Sequence, residues 1–131
     1  MATFHLIAYQ NRTTKIPHNL VDLQGDPIAL ADTDRVRLKI GRGFDATPDL
    51  DIIHGTTTAG GSGIEIVNRT HPDGASIVIW IGQSETLDPG VYTAEISVVD
   101  DSVTSPLANP ILHSKFGAIT FIGGMAGNVE L

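Results

Sequence analysis

The sequence predicts an all-β sandwich. Three observations carry that expectation. Apolar and polar side chains alternate with period two in several separate runs. Turn-forming residues recur between those runs at intervals of roughly ten positions. No window holds the apolar stripe that a three-turn amphipathic helix would need.

Taken in order, Phe4, Leu6 and Ala8 alternate with His5 and Ile7, which predicts a first strand over residues 3–9. Short strands are expected over 19–23 and 27–30, joined at the turn Gln24-Gly25-Asp26-Pro27. The clearest strand is 34–41. There Val36, Leu38 and Ile40 point one way and Arg35, Arg37 and Lys39 the other. Further strands are expected over 50–54, 63–68, 76–82, 91–100 and 117–123, for a total of seven to nine. The run Ile77 to Ile81 is apolar on both faces, as in a central strand or one whose second face meets a partner. Between 54 and 63 the Gly- and Thr-rich run carries too little apolar area to offset its ordering entropy, and it reads as a mobile loop. Residues 105–113 contain two prolines and can hold at most a short turn of helix.

The corner Leu87-Asp88-Pro89-Gly90-Val91-Tyr92 narrows the fold. Pro89 and Gly90 supply the bend, and Tyr92 starts a long alternating strand pointing inward. In immunoglobulin-like sandwiches a Tyr at this corner folds its hydroxyl back onto a backbone group a few residues upstream. A core Tyr after an ordinary turn would show the same residues. With the strand count, the corner leads to an immunoglobulin-like antiparallel β-sandwich, one domain spanning 1–131.

Composition bounds the function. The 131 residues contain no cysteine, which excludes disulfides, thiolate metal sites and cysteine nucleophiles and favours a reducing compartment. The net charge of −7 disfavours nucleic acid as a partner and gives no reason to expect a membrane surface. No signal peptide is recognisable, and no apolar run approaches the roughly 20 residues of a membrane helix. The sequons at Asn11 and Asn68 read as chance matches.

Catalytic patterns are weak. Asp49 and Asp51 share a strand face with His54 nearby, but no loop rich in oxygen ligands follows, and a solvated strand face explains them better. Gly82-Gln83-Ser84-Glu85 lacks the second glycine of a nucleophile elbow, and no helix follows the glycines to make a phosphate loop. The expectation is a protein with no enzymatic activity, no cofactor and no metal. Candidate contact residues remain. Arg35, Arg37, Lys39 and Arg42 form a basic row, either a contact stripe for an acidic partner or a solvent face balanced by cross-strand Glu95 or Glu65. Trp80 suits a core or an interface. Residues 1–17 and 121–131 suit contact arms, and Phe121 and Met125 in the second would be poorly hidden in a lone domain.

The segment Leu20 to Leu30, the Arg35–Ile40 strand and the stretch Glu85 to Ile96 together resemble small immunoglobulin-like virion proteins of tailed bacteriophages. The likeness covers about residues 20–122 and includes the style of the N-terminal domain of baseplate upper proteins. It implies a structural role in the virion after synthesis in the host cytoplasm. That role would be decoration or stabilisation of the capsid surface, with capsid or other virion proteins as partners and self-association on the particle. The chain has no long receptor-binding region, which favours a coat accessory over a baseplate adaptor. A tail or baseplate module of the same fold is the first alternative. A carbohydrate-binding sandwich is the second, and it would need exposed aromatics such as Trp80, Tyr9 and Tyr92.

Overall fold

The computed structural model describes residues 3–42, 47–100 and 111–123. The described residues form eight strands in chain order: β1 (His5–Tyr9), β2 (Thr14–Asn19), β3 (Asp34–Gly41), β4 (Leu50–Ile53), β5 (Gly63–Asn68), β6 (Ser76–Ile81), β7 (Gly90–Asp100) and β8 (Ile111–Ile122). A 3-10 turn, Gln83–Glu85, precedes β7. One sheet has the order β1-β8-β7-β3-β4 and the other β2-β6-β5.

Each sheet buries one face of its alternating strands. Val36, Leu38 and Ile40 on β3, Ile77, Ile79 and Ile81 on β6, and Tyr92, Ala94, Ile96 and Val98 on β7 meet in one core. Aliphatic side chains fill it almost entirely, as the aromatic-poor composition requires. β6 is the central strand of its sheet, and its second face, with Val78 and Trp80, is half-buried and turned outward.

The strand order is that of an immunoglobulin-like sandwich, and the corner before β7 is a tyrosine corner. The Tyr92 hydroxyl donates to the Asp88 carbonyl at 2.7 Å. Gly90 sits at φ +148°, a conformation that a side chain would strain. Two residues beyond the tyrosine, where antibody domains place the second cysteine of their disulfide, stands fully buried Ala94. We expect Tyr92→Phe to lower stability by about 1–2 kcal/mol, because a part-buried carbonyl loses its donor. An unshifted urea midpoint would show that the hydrogen bond contributes nothing.

The structure departs from the sequence-based expectations at five places. First, β1 runs parallel to β8, with His5 beside Ala118 and Tyr9 beside Ile122, so the sandwich is not wholly antiparallel. Second, residues 14–19 form a strand that alternation did not reveal. Pro17 obscures it, yet β2 is an edge strand, where a missing N–H faces away from the ladder.

Third, residues 19–23 and 27–30 are not two strands. They form a connector with one isolated bridge, Val21 to Pro27. Leu20, Ile28 and Leu30 are buried as anchors, and Asp22 Oδ1 accepts the amides of Gln24 and Asp26. The connector is also pressed against Gly74 at φ +110°, where an added Cβ would lie 2.0 Å from the Leu20 carbonyl oxygen. Fourth, β8 begins at Ile111, well before the expected 117, because the long β7 gives it a partner that far.

Fifth, the loop 54–63 is pinned. Glu85 accepts hydrogen bonds from the hydroxyls of Thr58 and Ser62, and the fully buried Ser62 hydroxyl accepts the Gly82 amide at 2.8 Å. Polar ties from outside the loop supply the ordering that its apolar content could not.

Candidate contact surface

The outer face of the five-stranded sheet is built by the residues that alternate with the core. On β1 these are His5, Ile7 and Tyr9; on β8, Ala118, Thr120 and Ile122; on β7, Val91, Thr93 and Glu95; on β3, Arg35, Arg37 and Lys39. Register places them side by side. Thr120 lies between Ile7 and Val91, and Tyr9 pairs with Ile122 one step further along. The β1 end is therefore apolar: Val91 is 70% exposed, Ile7 49%, Tyr9 41% and Ile122 40%. The His5 Nε2–Thr120 Oγ1 hydrogen bond, 2.6 Å, crosses this region, and the Arg12 guanidinium lies 5.9 Å from the Tyr9 ring centre. Single exposed apolar residues are ordinary, but four grouped on three adjacent strands form a patch.

The opposite end of the face is charged and internally balanced. Arg37 Nε donates to Asp51 Oδ1 at 2.7 Å, and a second bond joins the same two groups. Bonding to Asp51, against the effect of burial and with the charges of Asp51 and Glu95 adding, raises the Arg37 pKa further. Lys39 stands in register between Asp51 and Glu95. Arg42 approaches Asp49 at 3.8 Å and lies 5.9 Å from the Tyr92 ring centre. The basic row is thus interleaved with carboxylates rather than offered as a uniform positive stripe. Glu95 is one of the expected partners. Glu65 is not, because it sits on β5 in the other sheet.

Other candidates are redistributed. Phe121 is 1% exposed and packs edge-on against Tyr92, with centroids 5.6 Å apart, so it is core and not a contact residue. The parity of β8 decides this: Phe121 shares its inward face with Ile119, and its neighbour Ile122 points out. Met125 lies outside the described residues. Of the expected arm 1–17, the described residues 3–17 are no free arm, since they carry β1 and most of β2, which are integral to the two sheets. Trp80 lies on the outer face of the smaller sheet opposite Gly63, with the Lys15 ammonium 5.1 Å from its ring centre.

The Asp49, Asp51 and His54 grouping does not form a cation site. Asp51 is engaged by Arg37, and the His54 pKa is lowered by burial and by the charges of Arg69 and Arg35, which would repel a metal ion as they repel a proton. Among the described residues no three metal-ligating side chains converge, and no helix is long and apolar enough to cross a membrane.

No family model matches the chain, and no curated protein matches it. Among solved structures, the chain is similar over 92% of its length, and 92% of the other chain, to one from work on multimeric cell-adhesive interactions of VGSC beta subunits. The identity is 12% and the TM-score 0.39. At that level the likeness carries no argument. The immunoglobulin-like description of the fold stands on the strand order and the tyrosine corner.

Proposed function

We propose that this chain is a non-enzymatic binding module, and that its setting is the virion of a tailed bacteriophage, as an accessory protein on the capsid surface present in many self-associated copies. The observation that carries the binding role is the outer face of the five-stranded sheet. An apolar group of Ile7, Tyr9, Val91 and Ile122 adjoins a paired polar region, the arrangement of a protein interface with an apolar centre and a polar rim. The virion setting is supported by the resemblance of residues 20–40 and 85–96. The net charge of −7 suits an exterior surface, since a protein facing packaged DNA would be repelled by phosphate. The carbohydrate-binding alternative has less support: Tyr92 is buried in the corner and Trp80 already carries Lys15.

The test is co-sedimentation of the purified protein with phage particles lacking it, compared with an Ile7→Glu, Val91→Glu double variant. Both positions face solvent, so folding stability should change by no more than about 0.5 kcal/mol per site. We expect the parent to bind in many copies and the variant at least about tenfold more weakly. Absence of binding by the parent, or equal binding by the variant, would sink the proposal. Labelled protein found only at the tail would transfer the role to the tail alternative.

A further inference from the structure

A cavity of about 270 Å³ opens between the sheets where the 20–28 connector crosses β7 and β8. Phe4, Leu20, Leu23, Ile28, Ile96 and Val98 give it an apolar wall, and Asp22, Gln24, His113 and Ser114 also line it. One lysine there is buried. Lys115 is only 8% exposed, on the inward-facing row of β8 that also carries Ile119 and Phe121. Its ammonium reaches the Val21 carbonyl at 3.4 Å, a long bond for a group with three protons to donate. Burial lowers the Lys115 pKa and the nearby Asp22 charge opposes that effect, but Asp22 Oδ1 already accepts the amides of Gln24 and Asp26 at 2.9 Å each. His18, which also lines the cavity, stacks edgewise on Phe4 with centroids 5.8 Å apart. Burial and then the Lys115 charge lower its pKa, so at neutral pH it offers an uncharged ring and does not compete as a cation.

We propose that this cavity is a binding site for a small anionic amphiphile, a carboxylate on a short apolar chain, with Lys115 as the anion's partner. Lys115 makes one long hydrogen bond, and a ligand carboxylate would give its ammonium a charge-assisted one. The apolar part of the wall suits methylene chains. The volume lies just under the range of roughly 300–1,000 Å³ typical of ligand pockets, which fits a chain of about six to eight carbons. The site faces the space between the sheets, so it is independent of the outer-face reading and can fail or hold without it.

The test is a titration of the full chain with hexanoate, and separately with hexanol, followed by NMR of methyl groups. We expect hexanoate to shift Leu20, Ile96 and Val98 selectively, with a Kd of about 1 mM or below, and hexanol to bind more weakly. Lys115→Met, which keeps length and removes charge, should weaken hexanoate about tenfold or more while leaving hexanol binding intact. Should that variant not fold, the unaltered protein still decides. Tighter binding of hexanoate than of hexanol supports the site. Equal or tighter hexanol binding, no shift with hexanoate at about 10 mM, or undiminished hexanoate binding by a folded Lys115→Met overturns it.

Discussion

Phe121→Ala should cost about 3–5 kcal/mol of stability, read as a lower urea midpoint at similar slope, whereas Ile122→Ala should change it by about 0.5 kcal/mol or less. The two residues are adjacent and both apolar, and they differ in the face of β8 they occupy. Phe121 is 1% exposed and Ile122 40%. Truncating Phe121 removes a large buried ring and leaves a cavity against Tyr92, whose edge-on contact helps hold the corner bond to Asp88. Since a domain of this size commonly has about 5–15 kcal/mol to lose, the variant should be marginal at 37 °C. Equal effects of the two substitutions would mean that the end of β8 is not docked in the core, and would restore the view of residues 121–131 as a contact arm.

The second large effect is expected at Glu85. Its carboxylate gathers the hydroxyls of Thr58 and Ser62, and through Ser62 it ties the 54–63 loop to Gly82 at the end of β6. Glu85→Ala leaves the fully buried Ser62 hydroxyl without its acceptor and removes two charge-assisted bonds, a loss of about 2–4 kcal/mol. Limited proteolysis supplies a second reading: the loop should resist cleavage in the parent and be cut in the variant. Cleavage of the parent loop before any other segment would show that these ties do not hold it.

The same group sets an acid dependence. Burial would raise the Glu85 pKa, but hydrogen bonds from the Ser62 and Thr58 hydroxyls and the Ser62 amide outweigh burial and hold it below the ordinary carboxylate value. A lowered folded-state pKa stabilises the fold above the unfolded value of about 4.3, and that contribution fades as pH falls through the folded value. The stability difference between the parent and Glu85→Gln should therefore be constant near neutrality and shrink as pH drops below about 4. A difference that is the same at both ends would exclude Glu85 as its source.

Much of the fold was legible because the signals are local. The alternation of Arg35 to Ile40 identifies β3 and the face it buries without reference to any other segment. Pro89, Gly90 and Tyr92 announce the corner because its bend, its glycine and its hydroxyl all lie within five residues. The basic row was legible as residues but not as a surface. Its character depends on Asp51 and Glu95, which pairing register brings alongside Lys39 from 12 and 56 positions away.

What alternation could not convey is which strand lies beside which, and which way an individual terminal residue turns. β2 escaped notice because a proline at an edge and a proline in a loop look alike in sequence. The parallel partnership of β1 and β8 joins the two ends of the chain and has no local mark. Lys115 reads as one more surface lysine until β8 places it on the row shared by Ile119 and Phe121, and Glu85 reads as a turn residue until the loop folds over it. By itself, the sequence determined the class of fold, the faces of its long strands and the corner, since those follow from neighbours along the chain. The sheet order, the pinned loop, the apolar patch and the buried ammonium were decided only by tertiary structure, because each depends on contacts between residues far apart in the chain.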